Sequence, residues 1–148
     1  MIELLVVVAI IAIIATIALV SYVSALNRAR QKQTMADIRT IAAAWEARAT
    51  DTRSYVVTGY SFPATQIAFP ALRVALTPTY VHHLPQNDGW GHALEFAIEG
   101  NPPRYSIRSS GRDGTMDEST PAGATNNFDC DIVYANGSFI CYPETAQH

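Results

Sequence analysis

The sequence predicts an α+β protein in which one long N-terminal helix packs on a small antiparallel β-sheet head. No glycine or proline occurs between Leu4 and Asp51, so nothing in this segment interrupts a helix. Its first half is uncharged and its second half is amphipathic. Beyond it, short apolar segments separated by turn-forming residues are typical of antiparallel strands.

Composition limits the classes of protein to which the chain can belong. The chain has 148 residues, of which 49% are apolar and 16% charged, so it is neither disordered nor a large multidomain enzyme. Its net charge of −3 offers no general attraction to nucleic acid, and we infer no specific nucleic-acid partner. We predict a hydrophobic transmembrane helix over 1–27, its amphipathic continuation over 28–51, and a globular head with a C-terminal hairpin over 52–148.

The first half of the helix is long enough to cross a membrane. Leu4 to Leu26 contains no charged residue, and about 23 residues at 1.5 Å each span roughly 35 Å. Small residues recur at every third position of this segment, which lets neighbouring helices approach closely, although alanine is also common in membrane helices. These small residues are Ala9, Ala12, Ala15, Ala18, Ser21 and Ser24.

Glu3 is the one charge at the membrane end of the helix. An ionised carboxylate in hydrocarbon needs a partner or must take up a proton. In the headgroup region, however, the dipole of the first helical turn would stabilise the same anion without any partner. From the residues alone both interpretations of Glu3 stay open.

The second half of the helix carries an apolar stripe. After Arg28, apolar residues follow the three- and four-residue spacing of one buried face, with Ile41 beside them. The stripe consists of Met35, Ile38, Ala42, Trp45 and Ala49. We interpret the charges on the other side as a solvated face. They are Arg30, Lys32, Asp37, Arg39 and Arg48.

The start of the head has weaker signals. Tyr55–Val57 is a strand candidate, Thr58–Pro70 is rich in turn formers and predicts a loop, and Ala71–Val81 predicts a short helix interrupted at Pro78. His82-His83 follows, but adjacent side chains point apart in a strand and no third ligand stands at a recognised spacing. We therefore interpret both as surface histidines.

Two hairpins are predicted in the rest of the head. Ala93–Ile98 and Arg104–Arg108 form the first, and Asp131–Tyr134 and Ser138–Tyr142 form the second. The second pair flanks Asn136-Gly137, which is the strongest short hairpin signal. No nucleophile elbow, zinc-protease, phosphate-loop or dinucleotide motif occurs, so we predict no enzymatic activity.

The N-terminal run Ile2-Glu3-Leu4-Leu5-Val6-Val7-Val8-Ala9-Ile10-Ile11 resembles the start of mature type IV pilins and type II secretion pseudopilins. The resemblance implies a type IV pilin-like fold and polymerisation through packing of the N-terminal helices. In that family a glutamate near the mature N-terminus is thought to pair with the terminal amine of a neighbouring subunit. Glu3 occupies that motif position, two residues closer to the start than usual. Either two mature residues precede Met1, or the motif has shifted and Met1 supplies the amine.

Three head motifs resemble those of the major pseudopilin of type II secretion. They are Leu84-Pro85, Asp88-Gly89-Trp90-Gly91 and Ser109-Ser110-Gly111-Arg112-Asp113-Gly114. In that subfamily, a loop after the Gly-x-Asp-Gly turn binds calcium through carboxylates and carbonyls. The resemblance therefore implies a possible calcium cofactor, and no other, in this head.

The matching calcium positions are Asp113, Asp129 and Asp131, with Asp117 as an extra candidate. Three carboxylates with carbonyls could supply the roughly six to eight oxygens that calcium takes. The stretch Thr115 to Phe128 separates these acids more than the compact family loop does. The alternative is that Asp113 and Asp117 make Asx turns and Asp131 starts a strand.

Cys130 and Cys141 lie in the same terminal segment, and a head outside the cytoplasm would sit in an oxidising compartment. We therefore predict a disulfide between them. A two-residue turn would pair Cys141 with Ile132 and leave Cys130 one diagonal step away, which requires a bulge or a different loop for good geometry. Asn136-Gly137-Ser138 also fits an N-glycosylation acceptor, although its role in the turn already explains Asn136.

These features together predict a structural subunit, a major pilin or pseudopilin, that polymerises through its N-terminal helix into a type IV pilus-like extracellular filament. The alternatives are the major pseudopilin of a type II secretion pseudopilus and a single-pass membrane-anchored binding module. The predicted partners are further copies of the chain, the inner-membrane pilus or secretion machinery, and the membrane before assembly. We expect the subunit in the bacterial inner membrane with a periplasmic head, and the filament in the periplasm or outside the cell.

Overall fold

The computed structural model describes residues 2–57, 65–100, 103–117 and 122–144. The chain has the predicted α+β fold, a long N-terminal helix with a small, mostly antiparallel sheet. Its elements are, in chain order, α1 (Ile2–Thr52), β1 (Thr65–Ile67), α2 (Phe69–Leu76), β2 (Glu95–Glu99), β3 (Arg104–Ser109), β4 (Gly123–Thr125), β5 (Ile132–Ala135) and β6 (Ser138–Pro143).

Helix α1 is continuous over 51 residues, as the absence of glycine and proline predicts. Its large apolar side chains from Ile2 to Val23 are each more than half exposed, from 51% at Val23 to 76% at Ile2. Burial begins at Asn27, where the head first covers the helix. Among the described residues, α1 is the helix that is long and apolar enough to cross a bilayer.

The predicted apolar stripe of α1 is buried under the head. Met35, Ile38, Ile41, Ala42, Trp45 and Ala49 are each at most 8% exposed. Trp45 lies 5.0 Å from the ring of Tyr105 and 6.5 Å from that of Phe96, between centroids, so the helix packs directly on β2 and β3. Burial and a hydrogen bond to Glu46 raise the pKa of Tyr105 above its usual range.

The strand predicted at Tyr55–Val57 is wrong, because this segment is extended without a strand partner. Its carbonyl groups accept hydrogen bonds from helix side chains instead. The indole nitrogen of Trp45 donates to the Tyr55 carbonyl at 3.0 Å, and Arg48 donates to the Val56 carbonyl at 3.0 Å. The chain that leaves α1 is thus tied back onto it.

Six strands form one sheet in the order β1-β2-β3-β5-β6-β4. Both predicted hairpins are confirmed as antiparallel pairs, β2 with β3 and β5 with β6. The two edge strands were not predicted: β1 lies inside the expected loop Thr58–Pro70, and β4 pairs parallel with β6. Each has three residues, too few for an alternating pattern to be recognised in the sequence.

Helix α2 begins two residues earlier and ends five residues earlier than predicted. Pro70 stands in its first turn, where the missing amide hydrogen costs nothing, so the proline belongs to the helix and not to a loop. The helix ends at Leu76 because Thr77 precedes Pro78, and a residue before proline disfavours the helical conformation.

The turn of the second hairpin has the backbone that Asn136-Gly137 predicts, with φ of 50° and 90°. The predicted pairing of Cys141 with Ile132 is wrong, since Cys141 pairs with Val133. A register shift between Val133 and Tyr134 causes the difference. The hairpin therefore carries the kind of irregularity that a two-residue turn alone does not reveal.

Replacing Trp45 with alanine should lower the free energy of unfolding by about 3–5 kcal/mol, because its fully buried ring joins α1 to the sheet. The measurement is denaturant unfolding of the detergent-solubilised full chain, followed by near-ultraviolet circular dichroism. Gln33→Ala, on the exposed side of the same helix, is the control. A loss at Trp45 no larger than the loss at Gln33 would contradict this packing.

Candidate assembly helix and its junction with the head

The exposed apolar half of α1, residues 2–26, is the first functional feature. A run of large apolar side chains that the head leaves uncovered must be buried by lipid or by other protein. Glu3 is exposed in the first turn of this half, and no described residue forms an ion pair with it. Its proposed partner Met1 lies outside the described residues.

The Asp-Gly-Trp-Gly turn attaches the head to α1 just above this apolar half. The amide of Gly89 donates to Thr34 Oγ1 at 2.9 Å, and the indole nitrogen of Trp90 donates to Asn27 Oδ1 at 3.3 Å. Gly89 also lies against the helix backbone, where a Cβ atom would come within 3.0 Å of three backbone atoms of Arg30. Only glycine allows this close approach.

Asp88 holds that turn in shape and joins it to the sheet. Its Oδ1 accepts hydrogen bonds from the amides of Trp90 and His92, both at 2.9 Å. Its Oδ2 accepts one from Ser109 Oγ at 2.8 Å, at the end of β3. Asp88 is 6% exposed, and a buried carboxylate of this kind is satisfied because several donors point at it.

The Gly111 turn continues the same assembly towards the C-terminal segment. Gly111 has φ of +66°, and a Cβ atom there would come within 3.0 Å of three carbonyl oxygens from residues 128 to 130. The amide of Arg112 donates to the Phe128 carbonyl at 2.9 Å, and His92 Nδ1 lies 2.9 Å from the Gly111 carbonyl. The two motifs thus form one structure that connects α1, β3 and the C-terminal segment.

Two of the four predicted calcium ligands have partners of their own. Asp113 accepts hydrogen bonds from the amide and the hydroxyl of Thr115, at 3.0 and 2.7 Å, in the Asx turn that was the alternative. These bonds hold the pKa of Asp113 below its usual range. Asp129 forms a two-pronged ion pair with Arg112, with both distances 2.7 Å.

The other two, Asp117 and Asp131, lie together. Asp131 is fully buried, and its Oδ2 accepts hydrogen bonds from Arg108 and from the Asp117 amide. Arg108 also donates to the Asp117 carbonyl. Burial raises the pKa of Asp131. The hydrogen bonds from Arg108 and the Asp117 amide act in the opposite direction and reduce this rise. Its Oδ1 has no partner among the residues that the structure describes.

The described residues therefore do not gather the four acids into one ligand set. No group of three or more His, Cys, Asp or Glu side chains in the described part of the chain could hold a metal ion. Two of the four carboxylates are instead paired with arginine, so the donor set does not fit calcium as the sequence implied. Calcium binding therefore stays a prediction, and the described residues do not form a site for the ion.

Cys130 and Cys141 are free cysteines in the structure, and the disulfide between them stays a prediction. Cys141 is buried on β6, and burial together with the nearby Cys130 raises the pKa of its thiol. Asn136 Oδ1 accepts a hydrogen bond from the Tyr105 amide at 3.2 Å, which gives this residue a structural role besides the turn. His82 and His83 are both exposed.

The polar residues of the junction were not predicted from the sequence. Asn27, Gln31 and Thr34 are buried, at most 6% exposed, on the same face of α1 as the apolar stripe. Their spacing of four and three residues runs directly into that of the stripe, and this continuity was the available signal. These residues were not counted as part of the buried stripe because polar residues on a helix are normally assigned to its solvent-exposed side.

A family model described as type II secretion system protein G matches residues 21–127. The matched span begins at Ser21, in the last part of the apolar half of α1, and it includes both motifs of the junction. No curated protein and no solved structure matches the chain.

Gly89→Ala should lower the free energy of unfolding by about 2 kcal/mol or more, because its Cβ would collide with helix backbone that cannot move aside. Gly100→Ala is the matched control, since a Cβ atom there meets nothing within 4 Å. Thermal unfolding of the detergent-solubilised chain measures both. Equal stability of the two variants would mean that the turn does not dock on α1 as described.

The disulfide prediction is tested on protein purified without reductant from an oxidising compartment. Mass mapping of a non-reduced digest should find Cys130 linked to Cys141, which would close a loop of 10 intervening residues and contribute roughly 2–3 kcal/mol by chain entropy. Cys141→Ser should abolish the linked peptide. Free thiols at both positions in the unmodified protein would refute the bond.

Proposed function

The chain belongs to the family of type II secretion system protein G, and we propose that it is the major subunit of a secretion pseudopilus that assembles through α1. Members of this family are structural subunits of the secretion system. The observation that carries the proposal is the coexistence of two surfaces on one helix. Residues 2–26 are apolar and uncovered, whereas the stripe from Asn27 to Ala49 is already covered by the head.

The uncovered half suits two successive environments. In a single subunit it is long and apolar enough to anchor the chain in a membrane. In a filament the same surface would pack against α1 of neighbouring copies, with the line of small residues allowing close approach. An apolar surface with small residues can be buried in both places, first by lipid and then by the neighbouring helices of the filament.

The head supports a pseudopilus over an extracellular type IV pilus, which was the first expectation from the sequence. The family match covers the junction built from the Asp-Gly-Trp-Gly and Gly-Arg-Asp-Gly turns, which are the motifs that suggested the secretion subfamily. We place the subunit in the bacterial inner membrane with its head in the periplasm. Its partners would be further copies of itself and the inner-membrane secretion machinery.

The proposal is tested by deleting the gene in the host bacterium and restoring it on a plasmid. We expect proteins that the type II system exports to accumulate in the periplasm of the deletion strain and to be released again on complementation. Unchanged export together with loss of long surface fibres on micrographs would overturn the pseudopilus and favour a pilus.

Glu3→Ala and Glu3→Leu should reduce filament assembly on the order of tenfold or more, because ~1.4 kcal/mol lost at each contact between subunits already changes an equilibrium tenfold. The carboxylate is proposed to act between subunits, so the amount of membrane-inserted protein should stay unchanged. Fibres are counted on micrographs after overproduction, and total subunit is measured by immunoblot. Gln33→Ala is the control.

Equal filament yield from both Glu3 variants and the unmodified chain would contradict this role. A fall in total subunit that matches the fall in filaments would also contradict it, since the defect would then lie in stability or insertion.

A further inference from the structure

The family resemblance implies a cation in the loop after the Gly111 turn, and the described acids do not form a site for it. The guanidinium of Arg108, a residue of β3, nevertheless reaches this loop and is a cation that belongs to the chain itself. We propose that Arg108 is the internal cation that ties the 113–117 segment to the start of β5, so that this head needs no divalent ion there.

The sheet places Arg108 beside its acidic partner. Arg108 lies on β3 and pairs with Val133 on β5. Asp131 is two residues before Val133, so it lies at the diagonal position on the same face of the sheet, within reach of a long side chain. The side chain of Arg108 is 28% exposed, whereas that of Asp131 is fully buried.

The contacts of Arg108 are those expected of a cross-linking cation. Its guanidinium donates to the Asp131 carboxylate and to the Asp117 carbonyl, and the Asp117 amide donates back to Asp131. Two segments, at Asp117 and at Asp131, are thereby joined to β3 through one positive charge. A divalent ion would use the same two kinds of oxygen, a carboxylate and a backbone carbonyl.

Charge opposes a divalent ion beside Arg108. A buried carboxylate such as Asp131 needs a positive partner, and Arg108 supplies it with several donors in a fixed planar geometry. A divalent cation on either oxygen of Asp131, including the Oδ1 that has no partner among the described residues, would lie within a few ångströms of the guanidinium and be repelled by it. Asp113 and Asp129 are held by other groups, since Thr115 donates to both oxygens of Asp113 and Arg112 pairs with Asp129.

The first test compares melting of the full-length chain, solubilised in detergent, in millimolar calcium chloride and in chelator. A ligand that binds only the folded state raises the melting temperature by mass action. We expect the two melting temperatures to agree within about 2 °C, since a shift of that size corresponds to very little binding energy. A clear rise in calcium would overturn the proposal, because a divalent ion would then hold the loop.

The second test removes the guanidinium. Arg108→Gln should lower the melting temperature by roughly 10 °C or more, because it leaves Asp131 buried without a counter-charge. The control Arg112→Gln also breaks an arginine–aspartate pair, but an exposed one, and should cost only about 3 °C or less. Equal losses in the two variants would overturn the proposal.

A second pair of variants decides the matter if Arg108→Gln does not fold. Asp131→Asn keeps the shape of the buried partner and removes its charge, and Asp129→Asn does the same to the exposed pair. Asp131→Asn should lower the melting temperature more than Asp129→Asn does. The reverse order, or no difference, would show that Arg108 does not hold this loop through Asp131.

Discussion

The architecture depends on the unbroken hydrogen bonding of helix α1. A helix satisfies its own backbone donors and acceptors, so a continuous helix passes from an apolar environment into a protein core without exposing polar backbone groups on the way. With 51 residues, α1 is long enough to do both, and the head needs to cover only its second half. Because the helix is continuous, its first half can stay apolar and uncovered while its second half packs under the head.

The boundary between the two halves lies at the junction. Asn27 and Thr34 present side-chain oxygens to the donors of the Asp-Gly-Trp-Gly turn, and Gly89 lets that turn come close to the helix backbone. Through Asp88 and Ser109 the same turn is tied to β3. A short chain of hydrogen bonds therefore links the end of the apolar half of α1 to the sheet.

The segment between β3 and β5 includes one edge strand of three residues, and two ion pairs stabilise it, Arg108 with Asp131 and Arg112 with Asp129. The two pairs differ in burial, so they differ in importance: an exposed pair contributes little, whereas breaking a buried one leaves an uncompensated charge. In this arrangement an arginine can replace a bound ion, and the stability of the segment then does not depend on the concentration of that ion.

The sequence by itself determined the features that arise from local regularity. Continuity of α1, its apolar half, the stripe around Trp45 and both hairpins follow from periodicity and turn chemistry, which act between residues close in the chain. The tertiary structure decided which distant groups meet. Asn27 with Trp90, Asp131 with Arg108 and Cys141 with Val133 depend on sheet order, on a register shift and on an edge strand too short to recognise. The four acids show the limit most clearly: their spacing allows a calcium site, and only the packing of β3 against β5 puts a guanidinium beside Asp131.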